Sequence, residues 1–345
     1  MIFPIRAAVS RVPLMARLLA ALLMSAATTA AFAAPSVGDD NVSAIKGHRK
    51  VVIAEFGVEF YTQLHGEGRA GGANAQVTST LSGVSDATFQ AIAEQAYKDT
   101  VELLTKAGFE VLDAQTLSAN PLYQELANKY GTPSPYTFVD DKLVEGAPSI
   151  SKVFAPAGMP AFFSSSNIRG DFRQRTDSQN QGRGKKEGDL AKSLDATLLH
   201  VHYLASFGQV SGTKNGVLTS IAGVARAAIE PQPVLFPEDT EIQFVTDAGF
   251  RTFTNSRRPR HSGAVYLKAP LVDSNNIFEV KDTTTAESKK GDAINNAIGS
   301  LMGGFGQKRR SNEATPQSED AYRESFQKLI AEAAAAFAQS LSSAL

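Results

Sequence analysis

The stretch VVIAEFGVEFYTQ, residues 51–63, most constrains the fold because it has the pattern of a strand with two different environments. It begins as a continuous apolar run and then alternates. In the alternating part, Phe56 and Val58 fall on one face, and Glu55 and Glu59 fall on the other. Strands buried on both faces form continuous apolar runs, whereas half-buried strands alternate. The pattern therefore predicts a strand that is covered on both faces at its start and half-exposed at its end.

Helical and strand patterns alternate along the first half of the chain, and strand patterns dominate later. Ser85 or Asp86 can cap a helix whose apolar residues recur at helical spacing and which Gly108 ends, and Asn120 begins a second helix. An apolar stripe over residues 319–345 predicts an amphipathic C-terminal helix. We therefore predict an α/β (α+β) fold, with a mixed, partly antiparallel sheet and helices mainly on one face, followed by that helix.

The placement of polar segments predicts the domain organisation. Residues 34–50 are polar and predict a linker, and residues 51–270 predict one α/β sandwich domain. Within this domain, the segments 132–150 and 167–188 are rich in loop-forming and charged residues and predict mobile loops. Residues 271–318 are mostly polar and predict a flexible segment before the terminal helix.

Residues 1–33 have the composition of an export signal. They hold Arg6, Arg11 and Arg17 but no acidic residue, and then an apolar run that ends in AFA. This order predicts a secretory signal peptide that is cleaved near Ala33. The run is short and weakly apolar for a membrane anchor. We therefore expect a soluble periplasmic or secreted protein.

The composition excludes several kinds of site. The 345 residues include no cysteine, so disulfides, thiolate metal sites and a lipid-modified cysteine cannot form. The formal net charge is −1 at pH 7, which gives no basic footprint for nucleic acid. A chain of this length can bury a large core without disulfides.

Two histidines two positions apart are the candidate site residues. His200 and His202 lie in TLLHVHYLASFG, whose alternate positions are apolar. In a strand this spacing puts both imidazoles on one face, about 7 Å apart. A zinc or copper site would need further ligands, and Glu55 and Glu59 are candidates if their strand is adjacent. A metal site, an acid/base pair and the polar face of a structural strand all remain open, and we favour the last, with no bound cofactor.

Two further segments are candidate surfaces. Arg251, Arg257, Arg258 and Arg260 lie close together in a predicted loop and could bind phosphate groups or an acidic partner, although a solvated loop is the simpler interpretation. The stretch 293–306 carries apolar residues at near-helical spacing among small ones. This pattern fits a peripheral contact with a membrane or a partner surface, or a mobile flap.

Three short motifs resemble known site signatures but fail in their context. GEGRAG at 66–71 satisfies G-x-G-x-x-G, but the helix that a dinucleotide site requires does not follow it. GRGKK at 182–186 lacks the first glycine and the hydroxyl residue of a phosphate loop. GQVSG at 208–212 has its serine one place late for a nucleophile elbow. No catalytic motif is satisfied, and we expect a protein that is not an enzyme.

The order of elements over residues 51–212 resembles a family of bacterial envelope proteins. The features are an opening strand (VVIAEF), a helix that ends in glycine before a strand (LLTKAGFEVLDAQTL), and a short helix running into a long strand (LAKSLDATLLHVHY). They are similar to those of the curli-secretion protein CsgG, the penicillin-binding-protein activator LpoB and the N-terminal domain of TolB. The first two relatives are lipoproteins, whereas this chain has no cysteine. The resemblance implies a non-enzymatic periplasmic role in assembly, secretion or regulation, through contacts with other envelope proteins.

Overall fold

The computed structural model describes residues 34–70, 73–140, 148–163, 179–212, 226–249, 262–301 and 306–345. The helices within these residues are α1 (Asp86–Lys106), α2 (Ala114–Ser118), α3 (Pro121–Tyr130), α4 (Gln179–Leu194), α5 (Ala286–Leu301) and α6 (Glu319–Ser342). The strands are β1 (Val37–Asp40), β2 (Lys50–Ala70), β3 (Ala73–Leu81), β4 (Glu110–Val111), β5 (Gly131–Thr132), β6 (Tyr136–Asp140), β7 (Ser149–Phe154), β8 (Phe162–Phe163), β9 (Thr197–Gly212), β10 (Ala227–Leu235), β11 (Glu241–Val245), β12 (Gly263–Leu267), β13 (Leu271–Val272), β14 (Phe278–Asp282) and β15 (Gln307–Pro316).

Most of these strands belong to one mixed sheet. Its main path runs β1-β12-β11-β9-β2-β3-β15-β14, and the shorter strands β4, β6, β7, β10 and β13 attach to it. The central pair β2 and β9 is parallel, as are β2 with β4 and β3 with β15. The neighbours of β9 on its other side, β10 and β11, are antiparallel to it. The predicted mixed, partly antiparallel α/β sheet is confirmed.

Strand β2 determines which side chains reach each face of the sheet. A bulge between Ile53 and Glu55 shifts the alternation by one residue, so that Ile53 and Phe56 both enter the main core. Beyond the bulge, Val58 continues the core face while Glu55 and Glu59 lie on the opposite face. The start of β2 is buried on both faces, as the sequence predicts. The part predicted to be half-exposed is buried as well, with Glu55 4% and Glu59 1% exposed, because helices α3 and α4 pack on that face of the sheet. Alternation between buried and partly exposed residues begins only later in β2.

The two longest helices, α1 and α6, cover the core face of the sheet. The Ser85 hydroxyl accepts a hydrogen bond from the Thr88 N–H and begins α1, and Gly108, with a φ of +95°, follows its end. Ser318 caps the start of α6 in the same way. The predicted apolar stripe of α6 is buried against the sheet through Tyr322, Phe326, Leu329, Ile330, Ala333 and Phe337.

Three shorter helices pack on the second face of the sheet. Apolar side chains of α3 and α4, among them Leu126 and Leu190, contact Val52, Ala54 and Leu198 of the central strands. The helices are therefore divided between both faces, where the sequence predicted them mainly on one. The reason is that α4 begins within the segment predicted as a mobile loop, and its glycine- and lysine-rich sequence shows little apolar periodicity.

Several segments predicted as linker or loop contain sheet strands. Residues 34–50 include β1, which pairs with β12, and the fully buried Ile45. Residues 132–150 include β6 and the start of β7, and residues 271–318 include β14 and β15. Edge strands carry polar residues on both faces, so their pattern is that of a loop until a distant partner is known. Residues 35–345 consequently form one compact unit, without a boundary near residue 270.

Candidate functional site

The parallel pairing of β2 and β9 brings the predicted site residues together. Glu55 lies opposite His200, and Gly57 lies opposite His202. Glu59, two residues after Gly57, lies on the same face of β2. The Glu55 Oε2 atom is 3.5 Å from His200 Nδ1, and the Glu59 Oε2 atom is 3.6 Å from His202 Nε2. The two strands are thus adjacent and in register, and each histidine faces its own glutamate.

A second carboxylate reaches His200 from helix α4. The Glu187 Oε1 atom lies 3.2 Å from His200 Nε2, and its Oε2 atom lies 3.5 Å from the Nε atom of Arg183, one turn earlier on the helix. His200 is 6% exposed, Glu55 4% and Glu187 0%. Glu55 Oε2 also accepts a hydrogen bond from the Phe163 backbone N–H at 3.0 Å. The result is a buried chain of alternating charge, from Glu55 through His200 and Glu187 to Arg183.

This arrangement holds the His200 imidazole in its charged form. Burial alone lowers the pKa of His200, but the charges and hydrogen bonds of Glu187 and Glu55 outweigh burial and raise that pKa to about 9. Burial alone raises the pKa of Glu55, but the hydrogen bond and charge of His200 bring it below its ordinary value. An ionised carboxylate only accepts hydrogen bonds, so a ring that faces one with each nitrogen favours a proton on both nitrogens.

His202 has a different set of partners on the same face. Its Nδ1 atom donates a hydrogen bond to the Asp239 carbonyl oxygen at 2.6 Å. The carboxylate that faces its other nitrogen, that of Glu59, accepts a hydrogen bond from the Ser151 hydroxyl at 2.5 Å. Gly57 makes room for this packing, because a Cβ atom there would lie 2.8 Å from a backbone carbonyl oxygen and 3.4 Å from His202 Cδ2.

The geometry of His200 fits a structural ion pair better than a metal ligand or a general base. A metal ligand or a base needs an unprotonated nitrogen, and both nitrogens of this ring face carboxylates. Its burial also separates it from a substrate in solution. Within the described residues, no group of three or more histidine, aspartate and glutamate side chains is placed to hold a metal ion.

Sequence reasoning missed several members of this buried polar layer. Arg183 and Glu187 lie in the segment predicted as a loop, although their spacing of four residues is that of a helical ion pair. Glu241 and Gln243 of β11 lie opposite His202 and His200 and are also buried. The sequence TEIQFVT contained the signal for this third strand, because Glu241 and Gln243 alternate with the apolar Ile242 and Phe244.

The other candidate surfaces stay predictions. Arg251, Arg257, Arg258 and Arg260 lie outside the described residues. In the stretch 293–306, residues 293–301 belong to α5, and Ile294 of α5 is 60% exposed.

The sequence matches no protein-family model, and no curated protein or solved structure is significantly similar to it. None of the helices in the described part of the chain is both long and apolar enough to cross a membrane.

Proposed function

We propose that this protein is an exported, non-catalytic binding protein of the bacterial cell envelope. The basic and then apolar composition of residues 1–33 supports export. The resemblance of residues 51–212 to CsgG, LpoB and the N-terminal domain of TolB supports a role that depends on contacts with other envelope proteins. Export and partner binding are separate parts of the proposal, and each has its own test.

One observation carries the non-catalytic part of the proposal. Both nitrogens of His200 face carboxylates that are themselves buried, so the strongest chemical candidate in the sequence is occupied by the core. The contact of Glu187 with His200 also joins helix α4 to the central strand β9, and Arg183 pairs with Glu187 within the helix. The histidine pair therefore serves to hold the scaffold together, and binding falls to the surface.

Cell fractionation with intact-mass measurement tests export. We expect the chain in a periplasmic extract or in the medium, with a mass that corresponds to a start near Ala34. A full-length mass in the cytoplasmic fraction would contradict the proposal. A chain whose first arginines are replaced by glutamates is the matched control, because its signal lacks the basic region.

Two measurements test the non-catalytic part. We expect no turnover of a panel of hydrolysable substrates that depends on either histidine. Turnover by the parent chain that is lost in His200→Gln or His202→Gln would contradict this part of the proposal. Elemental analysis of protein purified without a histidine tag is expected to find metal well below one ion per chain. One tightly bound ion per chain, lost in the His200→Gln variant, would instead establish a metalloprotein.

Partner binding is tested in intact cells with a photo-crosslinking residue at an exposed position such as Ile294. We expect a crosslink to one identified envelope protein that competes with an excess of the unlabelled chain. Crosslinks that excess unlabelled chain does not reduce would contradict specific binding. So would crosslinks whose yield follows only the abundance of the captured proteins.

A further inference from the structure

A polar cleft of about 400 Å³ lies where the later half of β2 pairs with β3. Three neighbouring strands, β2, β3 and β15, form its floor, and Ser288 of α5 lies in its wall. The floor residues on which the argument rests are His65, Asn74, Gln76, Thr78, Gln307 and Arg309. A cleft of this size accommodates a small-molecule ligand.

The strand register explains why the floor is polar. His65 lies opposite Thr78, while Gln307 lies opposite Asn74, and Arg309 lies opposite Gln76. Residues that face each other across paired strands share one face of the sheet. The neighbouring alternate positions of β3, such as Ala75 and Val77, are buried on the other face. The three strands therefore present only polar side chains on the cleft side of this patch.

Helix α5 holds the outer strand of the cleft in place. The backbone N–H groups of Gln307 and Arg309 donate to the side chains of Asn296 and Asp292, at 2.8 Å and 2.6 Å. These contacts satisfy the edge of β15 before it pairs with β14. The Arg309 Nη2 atom lies 3.4 Å from Gln307 Oε1, which places its guanidinium along the cleft side of the strand.

Arg309 supplies the positive charge of the cleft. Among the described residues that line it there is no carboxylate, and the two other cations, Lys308 and Arg310, lie opposite Ala75 and Val77 and so belong to the other face of the sheet. Glu67, which lies opposite Gln76, accepts hydrogen bonds from side chains of its own hairpin, and Asp292 of α5 accepts one from the β15 backbone. A guanidinium in such a place favours a carboxylate or phosphate group.

The floor also contains hydrogen-bonding atoms that a simple anion does not satisfy. Within the described part of the chain, Asn74 Oδ1 is a buried acceptor without a donor, and His65 Nε2 is a buried ring nitrogen without a partner. The other ring nitrogen of His65 lies 3.2 Å from the Thr78 hydroxyl. Buried polar atoms normally have partners, so these two favour a ligand that brings hydroxyl groups close to them. An anion without hydroxyl donors leaves the asparagine oxygen unpaired.

We propose that this cleft binds an acidic saccharide, with Arg309 contacting its carboxylate and Asn74 accepting a hydrogen bond from a ring hydroxyl. The hydroxyl of Thr78 and the amide of Gln307 line the cleft beside these two groups. The inference goes beyond the proposed function, because it rests on the cleft whether or not the chain is exported.

Calorimetric titration of the purified chain with D-glucuronate, D-glucose and inorganic phosphate tests the proposal. We expect saturable binding of glucuronate, about tenfold tighter than either of the other two compounds. The Arg309→Gln variant is expected to lose about tenfold in affinity for glucuronate. Arg323→Gln is the matched control, because Arg323 is an arginine of α6 that pairs with Asp320, and its affinity should equal that of the parent chain.

A second variant keeps the test decisive if Arg309→Gln is unstable. Asn74→Asp preserves size but adds a negative charge to the floor, so it should weaken glucuronate binding and leave glucose binding unchanged. Absence of saturable glucuronate binding overturns the proposal. Equal affinity for glucuronate and phosphate also overturns it, because it would show recognition of the charge alone. An equal effect of Arg309→Gln and Arg323→Gln on glucuronate affinity overturns it as well.

Discussion

Replacing His200 by glutamine should remove a specific part of the pH dependence of stability. The pKa of His200 rises from its ordinary 6.5 to about 9 in the folded chain, because Glu187 and Glu55 outweigh the effect of burial. The folded state therefore binds the proton more tightly than the unfolded state. This contribution is fully present below about pH 6.5 and is lost as the pH rises through about 9. With about 1.4 kcal/mol for each pH unit, the contribution is about 3 kcal/mol.

The partner carboxylate sets the other limit of the pH range. The pKa of Glu55 is lowered in the folded chain despite burial, because His200 hydrogen-bonds to it and carries the opposite charge. Its contribution is present above its ordinary pKa of 4.5 and is lost as the pH falls through the lower folded value. The ion pair should therefore stabilise the fold most between about pH 4.5 and 6.5.

Urea unfolding of the parent and the His200→Gln variant at several pH values measures this effect. We expect the difference in free energy of unfolding between the two chains to shrink by about 3 kcal/mol from about pH 6 to about pH 9.5. His48→Gln is the control, because His48 precedes β2 and lies outside the buried layer. A difference between parent and His200→Gln that is constant over this range would refute the assignment of a charged imidazole.

Three further predictions concern stability and use urea or thermal unfolding. Glu187→Gln should destabilise the fold by about 3–5 kcal/mol because it leaves a buried cation without its counter-charge, while the same change at the exposed Glu125 should have little effect. Gly57→Ala should cost about 1–3 kcal/mol because its Cβ would overlap a backbone oxygen, whereas Gly291→Ala, with open space around it, should stabilise α5. Ser85→Ala should cost about 1 kcal/mol through loss of the cap of α1. Equal changes in stability at Glu187 and Glu125, or at Gly57 and Gly291, would contradict the first two predictions. An unchanged stability of Ser85→Ala would contradict the third.

Local periodicity determined much of what sequence reasoning predicted correctly. Alternation along β9 places Val201 and Tyr203 in the core, and puts His200 and His202 on the other face. Side-chain direction in a strand depends only on position along the chain, so one sequence suffices to predict it. The limits of α1 were predictable for the same reason, because Ser85 and the glycine after the helix act within a few residues of its ends.

Strand order and long-range charge pairing were decided only by the tertiary structure. The sequence could name Glu55 as a partner for His200 only on condition that β2 and β9 are neighbours, and a bulge in β2 completes their register. Glu187 reaches the same ring from a helix whose sequence lacks a strong apolar pattern. The edge strand β1, and β15 between β3 and β14, are equally hidden, since their pairing partners lie far along the chain. Periodicity thus determines which face a residue occupies, but packing against distant segments determines what it meets there.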